Sequence, residues 1–271
     1  MKAYFNTNTF DALVKDSPLE ATTDAGQAHL LVLGAKRVDF SQFSALRAVY
    51  RFGVGRENID FKFLEEKSIP VHFPGEKAKQ ILYDATANFT VYGILHMLYR
   101  GAFGDIDTWK KMQRDYIGNK VALVIGVGNI GRRVVDKLKP FMKVATYDIV
   151  SNQADELKPL LQKADIITVH IPLTEETKNF LDAEKLSWVK DDALIVNTAR
   201  GELVCESALY EKLKNTRCRA FFDVFWQEPY QGRLKLLGSE KFLMTPHSAS
   251  NTKEFVRESF RDILDIAKNL T

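Results

Sequence analysis

Val121-Ala-Leu-Val-Ile-Gly126-Val-Gly128-Asn129-Ile130-Gly131 leads into Arg132-Arg-Val134-Val135-Asp-Lys-Leu138-Lys-Pro140. An apolar run breaks into three spaced glycines, and Ile130, Val134, Val135 and Leu138 then fall on one helical face. The pattern predicts a buried strand, a tight turn and a helix that Pro140 stops, with Lys143–Tyr147 as the next strand. In this G-x-G-x-x-G spacing Gly126 permits the turn, Gly128 lets backbone amides approach a pyrophosphate, and Gly131 allows close helix–strand packing. The helix N-terminus adds partial positive charge for phosphates.

The strand over 143–147 ends in Asp148, one βαβ unit after the glycines. A carboxylate placed there accepts hydrogen bonds from ribose hydroxyls and repels a 2′-phosphate. The following Ile149-Val150-Ser151-Asn152 contains no arginine or lysine to receive such a phosphate. NAD is therefore the expected cofactor rather than NADP.

Working outward, the 271 residues are enough for two modest cores, and 45% hydrophobic with 27% charged residues is an ordinary globular composition. Lysine and arginine total 38 against 35 acidic residues, a net charge of +3. That is too small, and too dispersed, to point to nucleic acid or an anionic membrane surface. Met1-Lys2-Ala3-Tyr4-Phe5-Asn6 has no apolar signal core and no stretch is apolar enough to span a bilayer, so a cytoplasmic protein is expected. Cys205 and Cys218 form no Cys-x-x-Cys pair, and His29, His72, His96, His170 and His247 match no metal-ligand spacing, so no metal is expected.

Residues 2–6, 29–34, 46–52 and 69–75 read as strands before the glycine turn. Between the last two lies Phe52-Gly53-Val54-Gly55-Arg56-Glu57-Asn58-Ile59-Asp60, whose glycines allow either a plain left-handed turn or consecutive amides aimed at one anion. Gln80–Arg100 predicts a long helix with a broad apolar face and a pause at Gly93. It could serve as a core helix or as one buried on two sides, between domains or against a second subunit. After Asp148 the alternation continues: a helix near 154–163, a strand at 165–170, a polar helix over 175–189, a strand at 193–197, a helix at 206–214, and strands at 219–222 and 242–244. This specifies an α/β fold with a parallel sheet covered on both faces and ligands at the carboxyl ends of its strands.

Three of those ends carry chemistry. Thr198-Ala199-Arg200-Gly201 follows the strand 193–197, Asp223 with Glu228-Pro229 follows 219–222, and Thr245-Pro246-His247-Ser248 follows 242–244. A fixed guanidinium can grip a carboxylate and polarise a neighbouring carbonyl, while a histidine held by a carboxylate can supply the proton that accompanies hydride transfer. Singly, each has a plainer explanation: a surface ion pair for Arg200, a solvated loop acid for Glu228, a satisfied turn histidine for His247. Their joint placement at successive strand ends favours chemistry.

The chain resembles the D-isomer-specific 2-hydroxyacid dehydrogenases through Arg51-Phe-Gly53-Val54-Gly55 with Asn58-Ile-Asp60, Gly126–Gly131, Val169-His170-Ile-Pro172-Leu-Thr174, Asn197-Thr198-Ala199-Arg200-Gly201-Glu-Leu-Val204, Phe222-Asp223-Val-Phe225 with Glu228-Pro229, and Thr245-Pro-His247-Ser-Ala-Ser250. The resemblance implies an NAD-dependent oxidoreductase that interconverts a 2-keto acid and a D-2-hydroxy acid. In it Arg200 orients the substrate, Glu228 pairs with His247, and His247 is the general acid. It further implies that Asp223 meets the nicotinamide carboxamide and that Thr198 and Ala199 line the cofactor, together with Asn129, Ile130, His170, Pro172, His247 and Ser250. The substrate would meet Arg51, Gly53, Val54 and Gly55 as well as Arg200.

Family likeness also implies a Rossmann-type doubly wound domain over 93–247 and a smaller, discontinuous flavodoxin-like substrate domain over 1–92 and 248–271, in a homodimer. A 3-phosphoglycerate dehydrogenase, with Arg51, Lys36 and Arg37 as phosphate partners, and a non-catalytic NAD-sensing corepressor are the alternatives. Residues 83–88, Tyr-Asp-Ala-Thr-Ala-Asn, depart from the family's usual Val-Ala-Glu-His-like helix start.

Overall fold

The computed structural model of the protein describes residues 1–100, 105 and 107–270. The chain divides into two compact units, Met1–Leu82 with Asn251–Thr271, and Tyr83–Ser250. The sequence-based boundaries at 92 and 248 fall later in the long helix and just ahead of Asn251, respectively.

In the first unit the elements run β1 (Lys2–Phe5), α1 (Asp11–Lys15), β2 (Glu20–Ala21), β3 (Leu30–Leu33), β4 (Ala48–Arg51), α2 (Phe61–Glu66), β5 (Val71–His72) and the start of α3 (Glu76–Tyr99). α8 (Lys253–Asn269) returns at the end of the chain. All pairings are parallel, in the order β2-β1-β3-β4-β5. This is the flavodoxin-like 2-1-3-4-5 arrangement. β3 and β4 are buried throughout, as strands covered on both faces must be. Leu30, Val32, Ala48 and Tyr50 pack with Phe260, Ile263 and Ala267 of α8, and the alternate residues Leu31, Leu33 and Val49 pack with Phe40, Phe43 and Leu64. The two-residue β2 is an exposed edge with no hydrophobic alternation to announce it.

The second unit continues through the rest of α3 into β6 (Val121–Ile125), α4 (Gly131–Leu138), β7 (Lys143–Tyr147), α5 (Leu157–Lys163), β8 (Ile166–Val169), α6 (Ala183–Trp188), β9 (Leu194–Asn197), α7 (Glu206–Asn215), β10 (Arg219–Phe222) and β11 (Phe242–Met244). Its six strands are parallel in the order β11-β10-β9-β8-β6-β7. The order reverses between β6 and β8, the switch point at which such sheets hold ligands. Leu123, Ile125, Ile167, Ile195 and Phe222 face one layer with Leu161, Leu186, Leu209 and Leu213, whereas Ala122, Val124, Ile166, Val196 and Phe221 face α3 and α4. The pause at Gly93 is a contact requirement: a Cβ there would lie 2.0 Å from the ring of Phe221.

The polar stretch 175–189 is helical only over Ala183–Trp188, which corrects the sequence expectation. Thr177 Oγ1 donates to Pro172 O at 2.7 Å and accepts from Thr174 N at 2.7 Å, closing a turn. Asn179 then takes the left-handed region at φ +54° and donates its N–H to Glu202 O. Asp182 caps the helix by accepting from Lys185 N, so the helix cannot start earlier.

Candidate functional site

The glycine turn leaves β6 at the switch point. Gly126 sits at φ +88°, and a Cβ on it would lie 2.7 Å from His170 O. A Cβ on Gly131 would lie 1.9 Å from Gly126 O. At Gly128 nothing stands within 4 Å of that position. Two glycines are thus required by the turn's own packing, and the middle one opens onto free space. Ile130 occupies the N-cap of α4 and gives it no side-chain acceptor; the Arg132 N–H donates to Gly128 O at 3.1 Å, and the Gly131 amide at the head of the helix is the one available to a ligand. Exposed Asn129 accepts from the Arg132 guanidinium.

Asp148 stands where the sequence puts it, at the end of β7. Its Oδ2 accepts from Val127 N at 2.7 Å and its Oδ1 from Val150 N at 3.0 Å. Each carboxylate oxygen can accept a second bond, so both can also receive ribose hydroxyls. An open space at the middle glycine, a helix start without a side-chain cap and an adjacent carboxylate fit a dinucleotide without its 2′-phosphate.

At the end of β8, His170 donates its backbone N–H to Ile125 O at 2.7 Å, and its Nε2 lies 2.9 Å from Thr168 Oγ1. Burial pushes its pKa down to about 3, so the ring is uncharged near neutrality. It borders the glycine turn through its carbonyl. Pro172 follows, its carbonyl engaged by Thr177.

The ends of β9, β10 and β11 carry the chemistry. Asn197 is fully buried: Ala199 N donates to its Oδ1 at 3.0 Å, and its Nδ2 donates to Arg200 O at 2.7 Å. It therefore shapes the turn through Thr198 and Ala199 that presents Arg200. The sequence-based site omits Asn197, although an asparagine closing an apolar strand must find partners for its amide, and that was the available signal.

Asp223, also fully buried, accepts from Thr245 Oγ1 at 2.6 Å, Ser248 N at 2.9 Å and Ala249 N at 2.8 Å. Burial pushes its carboxyl up from the usual range against these donors. The carboxylate thus holds both flanks of His247, whose own N–H donates to Asp223 O at 2.8 Å and Thr245 O at 3.0 Å. His247 is kept at φ +52°, a conformation unfavourable for a residue with a Cβ and sustained by these bonds.

His247 Nδ1 lies 2.9 Å and 3.1 Å from the two carboxylate oxygens of Glu228. A carboxylate only accepts, so Nδ1 carries the proton and Nε2 is left for chemistry. Burial works against the Glu228 carboxylate, but hydrogen bonding to and charge on His247, with lesser help from Phe225 N–H and Arg200, hold its pKa below the ordinary value. The second unit therefore unites Glu228 with His247, and the charge of Arg200 makes a minor contribution to holding Glu228 ionised. Ser250 ends that unit, half-buried in the turn after Ala249.

Of the residues expected at the substrate, Gly53 adopts φ +119°, which only glycine takes readily. Val54 and Gly55 are half-buried in the same loop. Arg51 is only 4% exposed, and its guanidinium donates to the carbonyls of Leu33, Phe52 and Gly55. Buried among these carbonyls, its guanidinium braces the 52–55 loop.

Residues 99–249 match the family model described as D-isomer specific 2-hydroxyacid dehydrogenase, NAD binding domain. The (S)-sulfolactate dehydrogenase of Chromohalobacter salexigens is 34% identical over 271 residues, covering 91% of this chain and 85% of its own. The D-3-phosphoglycerate dehydrogenase of Methanocaldococcus jannaschii is 30% identical over 284 residues, which span 95% of this chain but 54% of that longer relative. A D-lactate dehydrogenase from Aquifex aeolicus, crystallised with NAD and lactic acid, shares the fold at a TM-score of 0.80 and 22% identity, over 99% of this chain and 94% of its own. By the extent of the domain match and the identity to a relative along most of both lengths, the chain is an NAD-binding member of the D-isomer specific 2-hydroxyacid dehydrogenase family.

Proposed function

We propose that this dehydrogenase reduces a 2-keto acid to the D-2-hydroxy acid, with His247 as the proton donor. The observation that carries the reading is the Glu228–His247 pair, at 2.9 Å. NADH, when bound, supplies the hydride that adds to the carbonyl carbon C2. His247 Nε2 gives its proton to the carbonyl oxygen, so that the C=O becomes CH–OH, and Glu228 stabilises the charged ring before transfer and fixes its tautomer. Arg200 grips the substrate carboxylate and polarises the carbonyl. The first unit is assigned to the substrate and the second to the cofactor, with Asp223 meeting the nicotinamide carboxamide and Thr198 and Ala199 lining that end.

The oriented histidine–glutamate pair favours catalysis over a purely NAD-sensing role, since a binding module has no use for a proton donor held in a strained backbone. We place the protein in the cytoplasm as a homodimer. Tyr92, Trp109, Met112 and Tyr116, each more than half exposed, give the second unit apolar surface that a partner copy would cover. Among the described residues no helix is long and apolar enough to cross a membrane.

The test is NADH oxidation with a panel of 2-keto acids, glyoxylate, hydroxypyruvate, sulfopyruvate and 3-phosphohydroxypyruvate among them, repeated for His247→Ala. Turnover should fall by about 100-fold or more in the variant while NADH affinity changes little. Tight NADH binding with no turnover on any keto acid would instead favour the sensing role.

A further inference from the structure

Thr90 lies in the part of α3 that belongs to the second unit, and it is fully buried. Its Oγ1 donates to Thr86 O at 2.8 Å and stands 2.8 Å from Thr198 Oγ1. A hydroxyl has a single proton and a carbonyl oxygen none to give, so the Thr90 proton is committed to Thr86. Thr198 must then be the donor between the two hydroxyls. With its own proton used in this way, Thr198 can offer any other neighbour only lone pairs. The polarity of a side chain in the turn that presents Arg200 is thus set from a helix distant in sequence.

We propose that Thr90 is a positioning residue for the cofactor: it fixes the Thr198 hydroxyl as a pure acceptor, matched to the NH2 of the nicotinamide carboxamide. The inference rests on the proposal that Thr198 lines the nicotinamide end. Thr90 acts only through Thr198 and touches no reacting atom. The departure of residues 83–88 from the family pattern leaves this device intact, since Thr86 contributes only its backbone carbonyl.

The test compares NADH with reduced 3-acetylpyridine adenine dinucleotide, in which a methyl replaces the carboxamide NH2, so that this group can accept but not donate. The readout is the ratio of the two kcat/KM values, each variant being judged against the wild-type ratio so that the different ring reactivity cancels. Thr90→Val removes the acceptor and frees Thr198 to turn its proton toward a carbonyl. The preference for NADH should fall about fivefold, the size of one neutral hydrogen bond. Thr90→Ser should retain the wild-type ratio, and Thr198→Val should lower it with Thr90 intact. A residue that only packs would depress both kcat/KM values together. An unchanged ratio in Thr90→Val overturns the inference. Should that variant fail to fold, an unchanged ratio in Thr198→Val overturns it instead. Absence of NADH turnover in the wild type would sink the proposed function and this inference together, whereas intact turnover with an insensitive ratio sinks the inference alone.

Discussion

The three glycines of the turn make unequal demands, and alanine substitutions separate them. At Gly131 an added methyl would stand 1.9 Å from Gly126 O and 3.0 Å from Gly126 C, against an ordinary contact of 3.4 Å or more. Both clashing atoms are backbone, so no rotamer change relieves them, and α4 or the turn must move by about 1.5 Å. Overpacking of well-fitted sites costs about 1–3 kcal/mol, and a backbone clash belongs at or above the top of that range. Gly131→Ala should therefore lose about 3 kcal/mol or more in urea unfolding of the cofactor-free protein.

Gly128→Ala meets no atom within 4 Å and should leave the unfolding free energy within about 0.5 kcal/mol. If the open space there receives the pyrophosphate, the same methyl intrudes on the ligand. NADH affinity, followed by fluorescence titration, should weaken by about 10- to 100-fold, or about 1.4–2.8 kcal/mol. Wild-type affinity in Gly128→Ala would refute the assignment of that space, and an unshifted urea midpoint in Gly131→Ala would refute the packing argument.

Three further outcomes are expected. Asp148→Ala should narrow the preference for NADH over NADPH in parallel titrations, since both the ribose acceptor and the repulsion of a 2′-phosphate are lost; a constant ratio would count against it. His170 has a folded pKa of about 3 against an ordinary 6.5, so the unfolded chain takes up its proton first and the stability tied to this residue declines as pH falls below 6.5. Its imidazole proton resonances should accordingly show no titration between pH 8 and 5. Glu228, held below its ordinary 4.5, contributes stability above that value and loses it as pH falls through the lower folded one. The melting-temperature gap between wild type and Glu228→Gln at pH 6 should therefore narrow progressively as the pH is lowered below 4.5, and a gap independent of pH would argue that the charge does not matter.

Local sequence determined much of this protein. The abrupt passage from β6 into Gly126, Gly128 and Gly131, and the acid closing β7, are legible because strand period, glycine freedom and helix period act over neighbouring residues. Arg200, Asp223, Glu228 and His247 could be picked out because a parallel sheet puts all its strand ends on one side, so a residue following a strand is already placed. What pairs with what was decided by tertiary structure. Whether Asp223 holds the 245–249 turn, whether Arg51 reaches the carbonyl of Leu33, and which way the Thr198 proton points depend on hydrogen bonds between residues apart in the chain. The shortened helix over 183–188 shows the same division: its polar composition permits a helix from 175, but Asn179 is drawn to Glu202 and ends that option. Side-chain chemistry and local period name the candidates; a buried donor must take whichever acceptor the fold delivers, and only the folded chain specifies which one that is.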